Sequence, residues 1–228
     1  MADQPGHCDE SGEGLRERKK RRTRREISDV ATQLFAEHGF DTVTLAQIAE
    51  ASDVSIKTIF NHFGSKEDLY FDRVEELWSS LARTVSERSS GVGVLQALRA
   101  LLVDNRVPLA GEGWDSLSHA EHYARHRAFC ATQDRSPALR ARRLTLGEEL
   151  GHRLTHLLAD ELGLEPRDPA LLALVAMLVA VLHARDRVLR VSLADGVAAP
   201  EVIERVVGFV TTAFDRLERA FGDIDRPA

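Results

Sequence analysis

The sequence predicts an all-α protein in which a small helical head precedes a larger helical domain, with about nine helices in all. Apolar residues recur with the period of amphipathic helices, capping residues stand at the ends of the periodic segments, and no alternating run is long enough for a β-strand. Hydrophobic residues make up 43% of the 228 positions, which suffices for a packed core. We expect a disordered tail at 1–15, the head at 16–66, the larger domain at 67–222 and a tail at 223–228.

The charge of the chain is unevenly distributed. The net charge is −6, yet residues 16–25 read RERKKRRTRR and carry eight basic residues against one acid, Glu17. Residues 67–228 hold 20 basic and 25 acidic residues, and all four lysines lie within the first 66 positions. A basic segment ahead of an acidic body indicates a head that binds a polyanion, or else a run of solvated charge.

Cysteine usage and hydropathy bound the cellular setting. Two cysteines, Cys8 and Cys130, exclude a disulfide scaffold. The N-terminus lacks the apolar segment of a secretory signal. The longest apolar run, residues 170–182, has thirteen residues, whereas a bilayer span needs about 20. We therefore expect a cytoplasmic protein without a membrane partner.

The first helix is predicted to begin near Arg24 and to end at Gly39. Its predicted buried stripe consists of five apolar residues with helical spacing (i, i+3, i+4, i+7 and i+8): Ile27, Val30, Ala31, Leu34 and Phe35. A glycine after the last apolar residue of such a stripe can adopt the positive φ that ends a helix.

Two short helices with a tight turn between them follow. Thr44 and Gln47 have the spacing of a capping box, which starts the second helix. Asp53 lies in the turn and is one of the few non-glycine residues that tolerate left-handed backbone. Ser55 is an N-cap candidate for the third helix, which would bury Ile59. Two helices joined by so short a turn form a helix-turn-helix unit.

Six further helices are predicted from their caps and apolar stripes. They are a fourth from Ser65 through Val85, a fifth around 95–102, a sixth at 116–133 after a loop at 108–115, a seventh from Pro137 to Gly163, an eighth from Pro169 to Asp195 and a ninth from Pro200. The eighth helix is apolar nearly all round, which predicts burial on more than one side, within one subunit or against a partner.

Residues 44–66, TLAQIAEASDVSIKTIFNHFGSK, together with the preceding ATQLFAEHGF and the following EDL, resemble the DNA-binding head of the TetR family of bacterial one-component transcription regulators. The resemblance covers about residues 20–72. The chain departs from the family pattern at Asp53, where glycine is usual, and at Phe60, where a tyrosine most often meets a phosphate. Phe60 cannot donate a hydrogen bond, but it can pack or contact a thymine methyl group.

Side chains around the third helix are the candidate DNA contacts. Lys57, in the first turn, is the best candidate for a base edge, because an ammonium group can meet O6 and N7 of guanine. The resemblance implies phosphate contacts by Thr44 and Lys66, and the basic stretch 19–25 could follow the backbone or enter a minor groove. The alternatives are plain caps, solvated lysines and a core Phe60. The full set is Arg24, Thr44, Ser55, Lys57, Thr58, Phe60, Asn61, His62 and Lys66.

The resemblance further implies a homodimer formed through the last two helices, residues 169–194 and 200–221, and a small-molecule pocket in the larger domain. Candidate ligand-binding residues are Trp78, His119, His122, Tyr123, His126 and His183. Three of these histidines share one face of the sixth helix and could bind a metal ion. We favour surface histidines and one buried histidine, because neither a cysteine nor a carboxylate completes a ligand set. Neither a metal nor a cofactor is therefore expected.

The function predicted is that of a ligand-responsive dimeric repressor, released from a palindromic operator by a small-molecule inducer. An activator or architectural DNA-binding protein without an inducer is the first alternative, and a metal-dependent enzyme that uses the histidine-rich helices is the second. We do not expect an enzyme, because the sequence has no glycine-rich phosphate loop, HExxH motif or nucleophile elbow.

Overall fold

The structure is a computed structural model that describes residues 14–72, 74–104 and 119–225, apart from the side chains at 76, 104, 119–122 and 125. Within these ranges the chain forms ten α-helices and no β-strand, which confirms the all-α class. The chain divides into two compact units, of which the first ends at Tyr70 and the second begins at Phe71. The predicted tails and the loop at 108–115 lie mostly or wholly outside the described residues.

The first unit contains four helices: α1 (Leu15–His38), α2 (Leu45–Ala51), α3 (Ile56–His62) and α4 (Lys66–Tyr70). The second contains six: α5 (Val74–Ser86), α6 (Val94–Asp104), α7 (His119–Arg135), α8 (Pro137–Leu162), α9 (Pro169–Ala194) and α10 (Ala199–Phe221).

Helix α1 begins at Leu15, nine residues before the predicted start near Arg24, so that prediction was wrong. The additional turns are exposed, and the apolar period therefore could not reveal them. Arginine and lysine are good helix formers, and Arg22 and Glu26 form an ion pair of 2.8 Å one turn apart. The end of the helix is confirmed, because Gly39 has φ +82° and its N–H donates to the Phe35 carbonyl.

The core of the first unit is built around three aromatic rings. Phe35 of α1, Phe40 of the following loop and Tyr70 of α4 lie with ring centroids 5.1 to 5.7 Å apart. Ile27 of α1 and Ile48 of α2 are also fully buried in this unit. The rings join α1, the loop that follows it and α4, while α2 packs against both α1 and α3.

The predicted fourth helix is broken into α4 and α5, which accounts for ten helices where nine were expected. Leu69, Tyr70 and Phe71 are consecutive and all buried. Three consecutive residues cannot lie on one face of a helix, since each is rotated about 100° from the last. The chain therefore turns at Phe71, whose carbonyl accepts from the N–H of Val74 at 2.9 Å.

The long helices of the second unit begin and end where their caps predict. Ser136 caps α8 with Pro137 in its first turn, and Asp168 caps α9 in the same way. Gly163 ends α8 in left-handed backbone, φ +65°. Helix α9 packs between α8 and α10, and α6 packs against α10. This arrangement forms one large apolar core.

Helix α9 has two different sides. Leu171, Leu174 and Leu178 are buried in the core, whereas Leu172 and Met177 remain about half exposed.

By length and composition alone, α9 could cross a membrane, since an 18-residue window has a mean hydropathy of 1.6. Core helices of globular proteins have the same composition, so this is weak evidence for a membrane span.

Candidate nucleic-acid interface

The turn between α2 and α3 is built by local hydrogen bonds. The Thr44 hydroxyl accepts from the Gln47 N–H at 3.3 Å, and the Gln47 side chain accepts from the Thr44 N–H at 2.8 Å, which confirms the capping box. Asp53 has φ +52°, the only positive value at a non-glycine residue among those described, as its place in the turn predicts. Four residues therefore suffice to connect α2 to α3.

Helix α3 is capped by Ser55, whose hydroxyl accepts from the Thr58 N–H at 3.0 Å. The two hydroxyl groups also lie 2.8 Å apart. The predicted cap is confirmed. Ser55 and Thr58 are thus held in place at the first turn of α3, where unpaired backbone N–H groups favour a nearby phosphate.

Helix α3 has one buried and one exposed face. Ile59 and the following Phe63 are 1% and 3% exposed, so this face is turned into the core of the first unit. The opposite face carries two pairs of exposed residues, and the members of each pair are one turn apart. One pair is Ile56 and Phe60, and the other is Lys57 and Asn61. Phe60 is 53% exposed, so it is not a core residue of this unit.

The exposed face of α3 combines the chemistry that reads a major groove. The Lys57 ammonium can donate to guanine, and the Asn61 amide can both donate to and accept from adenine. Phe60 offers an apolar edge to a thymine methyl group. Ile56, one turn before Phe60, is 43% exposed, so the apolar part of this face consists of two side chains.

Two of the predicted DNA contacts hold the head together. Arg24 of α1 donates to the His62 carbonyl at the end of α3, and its guanidinium lies 4.3 Å from the centre of the Phe63 ring. The Lys66 ammonium donates to the carbonyls of Phe40 and Val43, each at 2.9 Å. It also lies 4.2 Å from the centre of the Phe40 ring.

The basic segment forms one surface of α1. Arginines on successive turns line a shallow groove together with two acids: Arg18, Arg21, Arg22, Arg25, Glu26 and Asp29. All six are exposed. Because the segment is helical, its charges follow a straight line of about 1.5 Å per residue.

Of the predicted ligand-binding residues, Trp78 and Tyr123 pack against two different apolar clusters. Trp78 of α5 packs against the main core with the Arg153 guanidinium 4.9 Å from its ring. Tyr123 of α7 belongs to a second apolar cluster, and its hydroxyl donates to the Val197 carbonyl. The side chains of His119 and His122 lie outside the described residues.

Among the histidines whose side chains the structure describes, His126 is buried at 7% exposure, whereas His183 in the apolar α9 is exposed. The Nε2 atom of His126 lies 3.5 Å from the Cys130 sulfur. Burial first, and the charge of Arg185 second, lower the pKa of His126 to about 4. His126 is therefore neutral at physiological pH. Among the described residues, no group of three or more His, Cys, Asp or Glu side chains could hold a metal ion.

Sequence reasoning missed Arg185, which is 6% exposed and lies on the buried side of α9. A signal was present, because Arg185 continues the stripe of Leu171, Leu174 and Leu178 at helical spacing. Three further arginines near the start of α8 have partners within the second unit. Arg140 donates to the Asp134 carbonyl, Arg142 pairs with Glu149 and Arg143 approaches Asp186.

The chain is a helix-turn-helix transcriptional regulator, as the comparisons with known proteins establish. Residues 27–72 match the sequence model of the bacterial regulatory proteins of the tetR family. The HTH-type transcriptional regulator TcmR of Streptomyces glaucescens is 33% identical over 162 residues, which cover 69% of this chain and 68% of TcmR. The transcriptional repressor AcnR of Corynebacterium efficiens is 38% identical over 82 residues, 36% of this chain and 42% of AcnR.

Solved structures show the same fold over most of the chain. The SmeT–triclosan complex superposes with a TM-score of 0.51 at 21% identity and covers 87% of this chain and 91% of SmeT. GusR of Salmonella enterica gives a TM-score of 0.51 at 24% identity over 88% of this chain and 96% of GusR. This protein belongs to the TetR family of transcriptional regulators.

Proposed function

We propose that this protein is a cytoplasmic homodimeric repressor that binds a palindromic operator through α3 and is released by a small-molecule inducer. The observation that carries the proposal is the two-sided α3. Ile59 and Phe63 secure one face, while Lys57, Phe60 and Asn61 stand exposed on the other. The capped start of α3 orients this face, because Ser55 and Asp53 fix where the helix begins.

The residues around α3 have different roles in this proposal. Lys57, Phe60 and Asn61 contact base edges, whereas Thr44, Ser55 and Thr58 lie at helix starts, where a phosphate binds. His62 lies at the end of α3 and reaches the DNA backbone. Arg24 and Lys66 contribute mainly by holding the head in shape, since their charged groups already have partners within it. The basic groove of α1 adds affinity that does not depend on sequence.

The exposed apolar residues of the last two helices support a homodimer. Leu172, Met177 and Val191 of α9 and Ile203 of α10 are each 42 to 50% exposed in the single chain. A second copy that covers them would supply the partner that the nearly all-apolar α9 requires. Two heads related by a two-fold axis bind half-sites about 34–36 Å apart, or a multiple of that distance.

Release by an inducer follows from a two-state equilibrium of the dimer. A small molecule that binds more tightly to a state with a different head separation shifts the population towards that state. Strong release requires a preference of a few kcal/mol, about 5.5 kcal/mol for a change from 1:99 to 99:1. SmeT, which shares the fold, was solved as a complex with triclosan.

The test is a fluorescence-anisotropy titration of the full-length protein with duplex DNA from upstream of its own gene. A shuffled duplex is the control, and both are measured at two salt concentrations. We expect saturable binding of the native duplex at two subunits, or a multiple, per site. Equal, strongly salt-dependent binding of both duplexes would contradict sequence-specific recognition of this DNA.

A matched pair of lysine variants assigns the recognition to α3. Lys57→Ala should reduce the preference for the native over the shuffled duplex by about 1–3 kcal/mol, the value of one good base contact. Lys20→Ala removes an equally exposed lysine from α1 and should weaken both duplexes alike. An unchanged preference in Lys57→Ala would exclude Lys57 as a base contact.

A further inference from the structure

Helix α3 exposes two large apolar side chains on successive turns. Ile56 is 43% exposed and Phe60 is 53% exposed, and because they are four residues apart they lie on the same side of the helix. Within the described part of the first unit, the third large apolar side chain that is this exposed is Leu15, at the start of α1. Two of the three therefore lie on one helix of seven residues.

The exposed residues of α3 form two rows of different chemistry. At about 100° per residue, Ile56 and Phe60 lie within about 40° of each other and form an apolar row. Lys57 and Asn61 form a polar row about 100° further round the helix. The polar row is directly opposite the buried Ile59, whereas the apolar row lies on the flank between them. A helix that enters a groove with its polar row foremost therefore presents the apolar row to one side of that groove.

The major groove of DNA offers one projecting apolar group to such a row, the 5-methyl group of thymine. The other groups that distinguish the bases there are hydrogen-bond donors and acceptors, which isoleucine and phenylalanine side chains cannot satisfy. An apolar side chain that covers a polar base edge deprives it of water without replacing the hydrogen bond, which costs free energy. The apolar row is therefore selective, because it favours a thymine methyl group over a polar edge at the same place.

The spacing of the two side chains fits neighbouring base pairs. Four residues correspond to a rise of about 6 Å along an α-helix, and successive bases of one strand are about 3.4 Å apart. A helix that follows the groove thus brings Ile56 and Phe60 over thymines that are one or two base pairs apart. The positive charge of Lys57 in the adjacent row favours nucleic acid over an apolar protein surface as the partner of this face.

We propose that Ile56 and Phe60 together recognise thymine by its 5-methyl group, and that each operator half-site carries two such thymines, one or two base pairs apart. This inference rests on the proposed binding of an operator through α3. It adds Ile56 to the residues that contact DNA and assigns the apolar row to a single chemical group. Lys57 and Asn61 then contact other bases of the half-site.

The experiment removes the methyl groups from the DNA and leaves the protein unchanged. Uracil pairs with adenine as thymine does and differs from it only in lacking the 5-methyl group. Fluorescence anisotropy compares the full-length protein on the duplex from upstream of its own gene, made once with thymine and once with uracil throughout. Burial of one methyl group favours binding about fourfold, so two in each of two half-sites should favour the thymine duplex on the order of 100-fold.

The outcomes separate this inference from the proposed function. Sequence-specific binding that is equally tight with thymine and with uracil would leave operator binding intact and overturn recognition of the methyl group. Binding of neither form, or equal binding of the native and shuffled thymine duplexes, would contradict the proposed function and overturn this inference with it.

Variants of α3 assign the preference to the apolar row. The double variant Ile56→Ala/Phe60→Ala should bind the thymine and uracil duplexes within about twofold of each other, because alanine reaches neither methyl group. Asn61→Ala should weaken binding but keep the preference for thymine. Leu15→Ala removes an equally exposed apolar side chain from α1 and should keep both the affinity and the preference. Persistence of the full preference in the double variant would refute the assignment.

Single replacements of thymine by uracil locate the contacts on wild-type protein and do not depend on how well any variant folds. We expect two sensitive thymines in each half-site, one or two base pairs apart, each with a loss of about fourfold. The losses should disappear in the double variant. Sensitive positions that are too far apart for one turn of α3 to cover would overturn the proposal.

Discussion

Lys66 provides a sharp test of how the head is built, because the structure and the family resemblance suggest different roles for it. The resemblance implies an anchor for a DNA phosphate. In the structure the ammonium instead donates to the carbonyls of Phe40 and Val43 and lies over the Phe40 ring. We predict that Lys66→Met acts mainly by destabilising the head.

The magnitude follows from these three contacts. A hydrogen bond with a charged partner contributes about 1.5–3 kcal/mol, which we reduce to about 1 kcal/mol each because Lys66 is only half-buried. The contact with the Phe40 ring adds about 0.5–1 kcal/mol. Methionine keeps the aliphatic packing. The expected loss is therefore about 2.5–3 kcal/mol of head stability.

Hydrogen exchange measured by mass spectrometry can follow the head separately from the second unit. Amides of α2 and α4 should exchange roughly 70- to 150-fold faster in Lys66→Met, which is the stated loss converted to a ratio. The salt dependence of DNA affinity should keep its slope. Loss of a phosphate contact would instead reduce that slope by about 0.9.

The control for this experiment is Lys57→Met, which removes an exposed lysine of α3. Its amide exchange should match the wild type, while its preference for the operator falls. If Lys66→Met exchanged like the wild type and showed a reduced salt slope, the structural role assigned to Lys66 would be refuted.

Three further predictions follow from exposure and burial. Phe60→Ala should weaken operator binding by about 1 kcal/mol without lowering the Tm, because the ring is half exposed; a lowered Tm would show that Phe60 is part of the core. Replacement of the four groove arginines by glutamine should reduce the slope of log affinity against log salt concentration by about 3–4 and weaken the binding of native and shuffled duplexes equally. The four are Arg18, Arg21, Arg22 and Arg25. A changed preference between the two duplexes would contradict this prediction. The pKa of His126 is lowered to about 4 in the folded chain, so the unfolded chain binds a proton at this residue at higher pH than the folded chain does. The free energy of unfolding should therefore fall by up to about 3 kcal/mol as the pH is lowered from about 6.5 to 4. His126→Leu should remove this loss, measured as Tm against pH, and His152→Leu, at an exposed position, should not.

The helical basic segment changes how α1 can contribute to binding. Positive charges at the start of a helix oppose the helix dipole, and arginines one turn apart repel each other. The ion pair between Arg22 and Glu26 offsets part of this repulsion. A bound phosphate backbone would relieve both effects, so DNA binding and the helical structure of 16–25 should reinforce each other.

The sequence alone determined the parts of this protein that depend on neighbours in the chain. The capping box at Thr44, the left-handed Asp53, the Ser55 cap and the ends of α8 at Pro137 and Gly163 were predicted correctly. Each depends on hydrogen bonds or steric limits within about four residues, which sequence spacing reveals directly. The family resemblance over the head rests on the same local features.

The tertiary structure decided what depends on residues far apart in the chain. Only packing shows that Arg24 reaches the His62 carbonyl and that Lys66 reaches Phe40 and Val43, since these partners are 23 to 38 positions away. Burial and charge balance are sums over distant neighbours, and a one-dimensional pattern contains no record of which neighbours those are.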